Sequence, residues 1–313
     1  MNPSWALHLL QNGMGLRPGE RVLALVDEPL RAAGDALAEA AGALGAGAAA
    51  VRVLPAPRPL ALIPQTFLQQ VEAADVIVSL FSGLDLERES PVLRAGMAAF
   101  RAARRGRWGA GACIDEAVLQ ADLAADCQAV AAQTAAAAGR LARAGEVRIT
   151  SEAGTDLRLQ LGGRPIHQDT GLLHTPGAYG NLPAGEAFVA PLEDSAEGRL
   201  VVDLSIGDIP LDQPVVLTFR KGRAVAAEGG AAARELERRL GADPGAWTLG
   251  EFGVGTNPGV RIRHRAPQDE KVLGTVHVAL GGNIHFGGAN DVSSHYDCVI
   301  RAPKIFLDGA TLW

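Results

Sequence analysis

Cysteine and aromatic residues are sparse in this chain, and each shortage narrows what it can be. Cys113, Cys127 and Cys298 are odd in number and show no C-x-x-C spacing. That argues against a disulfide framework or a cysteine-ligated zinc and for reduced thiols in a cytoplasm. Aromatics make up 4% of the residues, so the core must be built from Ala, Val and Leu. The segment MNPSWALHLLQNGMGLRPGE has neither the basic start nor the apolar run of a secretory signal. No apolar stretch approaches the roughly 20 residues that cross a bilayer. The formal net charge is −6, and no basic patch is long enough to follow a phosphate backbone. Nucleic acid and membrane are therefore not expected partners. Gly13-Met14-Gly15 and Gly45-Ala46-Gly47 do not complete a G-x-G-x-x-G, and no G-x-S-x-G elbow is present.

What is present divides into two textures. The 313 residues allow two domains, expected at 1–144 and 145–313. In the first, continuous apolar runs at Arg21–Val26, Ala50–Leu54, Val76–Leu80 and Arg107–Ala112 alternate with helical spacing over Leu30–Leu44, Ile63–Ala74 and Pro91–Arg104. Such alternation predicts an α/β domain around a parallel sheet. A proline-rich loop is expected at Pro55–Pro59, and an Ala-rich helix over Leu123–Arg143 closes the unit. Asp27 reads as a helix N-cap, and Arg101–Arg107 as a solvated basic helix end. After about Gly145 short strands and turns take over, including hairpins at 146–161 and 215–226, with one helix at Ala231–Leu240. This half predicts an α+β domain rich in antiparallel strands.

The chemistry concentrates between Gly250 and Asp297. On a strand, residues i and i+2 share a face, so His295 and Asp297 can reach one metal ion together. His277 lies in the apolar run TVHVAL, where an unpaired imidazole is costly to bury. Glu251 sits among small strand-forming residues, and Glu186 does so in PAGEAFVAP. Together the five side chains supply enough oxygen and nitrogen donors for a pair of divalent ions with a bridging carboxylate. His285, Tyr179, Asp194, Glu197 and Arg261-Ile262-Arg263-His264-Arg265 are weaker candidates, the last reading as an exposed strand edge.

In order along the chain, GEAFVAPLEDSAEG, LGEFGVGTNP, DEKVLGTVHVALGGN, FGG and H-x-D resemble the aminopeptidase T family of metallo-aminopeptidases. The resemblance implies an N-terminal α/β domain, a C-terminal two-metal domain and a homodimer. It places the family's ligands on Glu186, Glu251, His277, His295 and Asp297, with zinc, cobalt or manganese as the ions. A metal-activated water would then cleave N-terminal residues from peptides or related amides, with either glutamate able to serve as general base. The scaffold also resembles the 2,5-dihydroxypyridine dioxygenases, which share the SAEG stretch and the H-x-D pair. That implies a mononuclear Fe(II) ring-cleaving enzyme with His277, His295 and Asp297 as its triad. In that group a histidine takes the place of Glu251, so the acids favour the hydrolase as first expectation. A non-catalytic dimer on the same fold is the third.

Overall fold

The computed structural model describes residues 4–54, 63–84 and 91–312, and the loop expected at Pro55–Pro59 lies outside them. The first unit is a parallel sheet of β1 (Arg21–Val26), β2 (Ala48–Val53), β3 (Val76–Leu80) and β4 (Arg107–Gly111). Around it lie α1 (Ser4–His8), α2 (Arg31–Ala43), α3 (Gln65–Ala73) and α4 (Pro91–Ala103). The unbroken apolar runs are explained by burial on both faces. Val22, Ala24 and Val26 enter one core cluster with Val76 and Val78, while Leu23 and Leu25 enter another with Ile77. The closing Ala-rich helix, α5, spans Cys127–Leu141.

Two polar side chains in this unit depart from expectation. Arg107 is not solvated: it is buried, with Nη1 and Nη2 donating to Glu20 at 3.0 and 2.6 Å and Nε donating to the Met14 carbonyl. Asp27 does not cap the following helix. Its Oδ2 instead accepts from the backbone N–H and hydroxyl of Ser82.

Downstream, β5 (Glu146–Thr150) and β6 (Asp156–Gln160) form the expected hairpin, and β7 (His167–Asp169) follows. The next strand, β8 (Tyr179–Asn181), pairs parallel with β4 and completes the first sheet in the order β2-β1-β3-β4-β8. The compact units accordingly do not divide the chain at a single point near residue 144. One gathers Met1–Ala131 with Thr170–Ala184, the other Ala132–Asp169 with Gly185–Trp313.

The second unit continues with β9 (Glu186–Val189), β10 (Glu197–Val202), β11 (Ser205–Ile206), β12 (Val215–Arg220), β13 (Arg223–Glu228) and α6 (Gly230–Leu240). Then come β14 (Leu249–Gly255), α7 (Ala266–Asp269), β15 (Val276–Gly281), β16 (His295–Ile300), β17 (Lys304–Leu307) and β18 (Ala310–Thr311). Lys221 and Gly222 both take left-handed backbone, as the two-residue hairpin between β12 and β13 requires. Arg261–Arg265 forms no strand edge; it is a loop leading into α7. Two antiparallel sheets result, ordered β13-β12-β10-β6-β5-β17-β18 and β11-β16-β15-β14-β9-β7. One apolar cluster joins Leu157, Leu200 and Leu217 of the first to Phe252, Val278 and Cys298 of the second. Among the described residues no helix is long and apolar enough to cross a membrane.

Candidate metal centre

The six-stranded sheet turns alternate residues to opposite sides. Ala187, Phe252, Val254, Val276, Val278, Cys298 and Ile300 enter the core, so their neighbours in sequence must occupy the other face. That face carries Asp169, Glu186, Glu251, His277, His295 and Asp297, one or two from each of five strands. Register fixes their order. Ala279 stands between Glu251 and Asp297, its small side chain leaving room between the two carboxylates. Gly253 stands opposite His277, and a Cβ there would lie 2.1 Å from His277 Nε2. The glycine is required because the imidazole lies over its backbone. Gly255 plays the same part for the 269–275 loop, where a Cβ would meet the Val272 carbonyl at 2.1 Å.

Two three-residue groups have ligand atoms within 4.8 Å of one another: Glu186, Glu251 and His277, and Glu251, His295 and Asp297. Glu251 belongs to both. His277 Nε2 lies 3.3 Å from Glu251 Oε1 and 3.4 Å from Glu186 Oε2. His295 Nε2 lies 3.3 Å from Glu251 Oε2 and 3.2 Å from Asp297 Oδ1. Charge-assisted N–H···O bonds are shorter, at about 2.7–2.9 Å. An ion about 2.1 Å from tetrahedral ligands, by contrast, holds their atoms about 3.4 Å apart. The spacing is that of long hydrogen bonds and also matches donors placed around a common centre. His295 Nδ1 donates to the Gly282 carbonyl at 3.1 Å, which orients the ring with Nε2 toward the carboxylates.

The structure does not bring His277, His295 and Asp297 into one group. His277 pairs with Val299 and His295 with Gly281, so the histidines stand four residues apart along β15. At about 3.4 Å per residue their backbones are offset by about 14 Å, and the two rings lean toward Glu251 from either side. They reach opposite oxygens of Glu251, which stands where the triad's centre was expected.

Electrostatics follow from the crowding of acids. Burial would raise the Glu251 carboxyl, but hydrogen bonds from His277 and His295 outweigh it and hold it at about 2. Burial would lower His277, yet Glu251, Glu186 and Glu270 push the imidazole up to about 9. His295 rises well above its ordinary value for the same reason, against its own burial, with Asp297 the main cause. Burial pushes Glu186 up to about 7 against the pull of Lys271. The acids of this sheet face favour positive charge beside them, and the N/O donors suit a divalent first-row ion.

Several neighbours went unread in the sequence. Lys271 is buried, with Nζ 2.6 Å from Glu186 Oε1, 2.8 Å from Glu270 Oε1 and 3.9 Å from Asp169 Oδ2. His167-Gln168-Asp169 repeats the H-x-D pattern on β7, a signal that could have been used. His167 stacks on Phe188 at 5.2 Å between ring centroids, and Phe286 meets Phe188 and His295 edge-on at 5.7 and 6.0 Å. These half-buried rings wall one side of His295. Of the weaker candidates, His285 is exposed in the turn Ile284–Phe286, and Tyr179 lies on β8 in the other unit. Asp194, Glu197, Arg261 and His264 are exposed, and none of these residues joins either ligand group.

A two-unit chain with two groups of carboxylates and imidazoles on one sheet face, each able to hold a metal ion, has the donor set of a metal-dependent enzyme. The family described as 2,5-dihydroxypyridine 5,6-dioxygenase (NicX) matches residues 10–313, and the chain belongs to that family. The 2,5-dihydroxypyridine 5,6-dioxygenase of Pseudomonas putida is 29% identical over 185 residues, which are 54% of this chain and 52% of that protein. The alignment thus spans about half the length of that relative. Among solved structures, the 2,5-dihydroxypyridine dioxygenase from Pseudomonas putida KT2440 superposes with a TM-score of 0.76 at 23% identity, covering 99% of this chain and 94% of that one. AmpT from Thermus thermophilus superposes at 0.70 and 20% identity, covering 99% and 96%. These superpositions show the shared fold. The resemblance to aminopeptidase T stands at that level, and the family is the one placed second by sequence.

Proposed function

We propose that the chain is an Fe(II)-dependent dioxygenase that opens a small hydroxylated aromatic ring, with Glu251, His295 and Asp297 holding the ion. The observation that carries the reading is a group of three donors, able to hold an ion, beside an aromatic wall in a chain that matches the dioxygenase family over residues 10–313. The donor set fits a divalent first-row ion, since two carboxylates balance its charge and one imidazole adds a borderline ligand. It differs from the two-histidine triad in having Glu251. Bound there, a ferrous ion supplies a site where dioxygen and an electron-rich ring meet. The protein does the rest. The Gly282 carbonyl fixes the His295 ring, and Phe286 and Phe188 offer flat apolar surface to a planar substrate. Glu186 Oε2, 3.4 Å from His277 Nε2, is a carboxylate oxygen able to take and hold a proton from a ring hydroxyl.

A second reading rests on the other group. Glu186, Glu251 and His277 have the same ligand-like spacing, which favours a two-ion hydrolase acting on peptides or related amides. Oxygen uptake separates the two. Protein purified without air and loaded with Fe(II) should consume dioxygen when given 2,5-dihydroxypyridine or a related hydroxylated ring. No uptake with any such ring, combined with hydrolysis of aminoacyl amides by zinc- or cobalt-loaded protein, would replace the first reading with the second.

A further inference from the structure

Lys271 is the buried group that the chemistry above leaves unexplained. A lysine is rarely buried without strong partners, and here its Nζ lies among Glu186, Glu270 and Asp169. Its contacts to Glu186 and Glu270, 2.6 and 2.8 Å, are short hydrogen-bond lengths, unlike the 3.2–3.4 Å spacings around His277 and His295. It reaches this position because Gly255, the cross-strand partner of Glu186, lets the 269–275 loop close onto the sheet.

We infer that the Lys271 ammonium is a built-in cation that stands in for a second metal ion, so that the chain binds one ion tightly, at Glu251, His295 and Asp297. Glu186 has one oxygen committed to Lys271 and only Oε2 turned toward His277. An ion held between Glu186, Glu251 and His277 would share the Glu186 carboxylate with a fixed positive charge, where repulsion in a buried site is large. It would also share Glu251 with the first ion. The two carboxylates of the other group neutralise one divalent ion. Lys271 is thus a positioning residue that sets metal stoichiometry rather than a group that touches substrate. The inference rests on the ion position proposed above, but not on the reaction assigned to it.

The test uses the full chain, stripped of metal and titrated with Zn2+, with calorimetry and metal analysis after gel filtration. Zinc is redox-silent, so the count is independent of any oxygenase activity. Wild type should take one ion per chain, with any second at least about a hundredfold weaker. Lys271→Met should take two, the second within about tenfold of the first. Two ions of comparable affinity in wild type would overturn the inference, as would a Lys271→Met second site no tighter than before. If Lys271→Met fails to fold, Glu186→Gln serves, because it leaves Lys271 with Glu270 and Asp169. That variant should hold the tight ion within about threefold of wild type; a loss of tenfold or more would overturn the inference. Absence of any tight ion in wild type would refute the ion position itself. Failure of oxygen uptake with an intact one-ion count would refute only the reaction.

Discussion

Gly253→Ala is the substitution whose consequence the sheet face defines most closely. The new Cβ would lie 2.1 Å from His277 Nε2 and 2.2 Å from Cε1, against an ordinary contact of about 3.5 Å. The ring would have to retreat by more than about 1 Å. It is 1% exposed and lies between Glu186 and Glu251, so no empty space receives it. Overpacking of this kind costs about 1–3 kcal/mol, and an off-rotamer imidazole adds about 1, for a total of about 3 kcal/mol. In a unit of this size that lowers Tm by about 6–12 °C, measurable by thermal unfolding followed by circular dichroism. The decisive version is a double-mutant cycle. In a His277→Ala background the clash partner is gone, and Gly253→Ala should cost less than about 1 kcal/mol. Equal costs in the two backgrounds would refute the claim that the glycine exists to admit the imidazole.

Three further outcomes follow from named contacts. Glu193 accepts from Arg164, Asn283 and the Ala289 N–H; although burial raises it, these bonds hold its carboxyl at about 2. Its stabilisation is present above about pH 4.5 and is lost as pH falls toward 2, so Glu193→Gln should cost about 2 kcal/mol at pH 7 after discounting for partial exposure. Urea unfolding should show that gap shrinking at pH 3; a gap independent of pH contradicts the assignment. Asp297 and Cys298 are adjacent but face opposite sides of β16. Asp297→Asn should abolish tight metal binding with little loss of stability, and Cys298→Ser should cost about 1–3 kcal/mol and leave the metal count unchanged. The reverse pattern in metal titration and unfolding would mean the alternation is misassigned. Phe286→Ala should raise KM for a ring substrate about tenfold with kcat and metal content nearly unchanged; an unaltered KM would remove Phe286 from the substrate wall.

Much of this arrangement was legible because it is local. Unbroken apolar runs such as RVLALV announce strands buried on both faces, and the i, i+2 spacing of His295 and Asp297 puts them on one side of a strand. What could not be read depends on register and close approach. Nothing in the sequence says that His277 pairs with Val299 rather than with Asp297, so the grouping of the histidines was not accessible. Lys271 joins the site only because a loop closes over Gly255. The three residues of β8 carry no strand signature of their own, and pairing with β4 makes them one. Arg107 looked like a solvated helix end because Glu20, its partner, lies 87 residues away.

The central claim is that one divalent ion sits between Glu251, His295 and Asp297. Anomalous diffraction from crystals grown with Mn2+ or Zn2+ tests it most directly. The account predicts one strong peak about 2.0–2.2 Å from Glu251, His295 Nε2 and Asp297, and no peak there in His295→Ala. A principal peak between Glu186 and His277, or elsewhere on the chain, would contradict it.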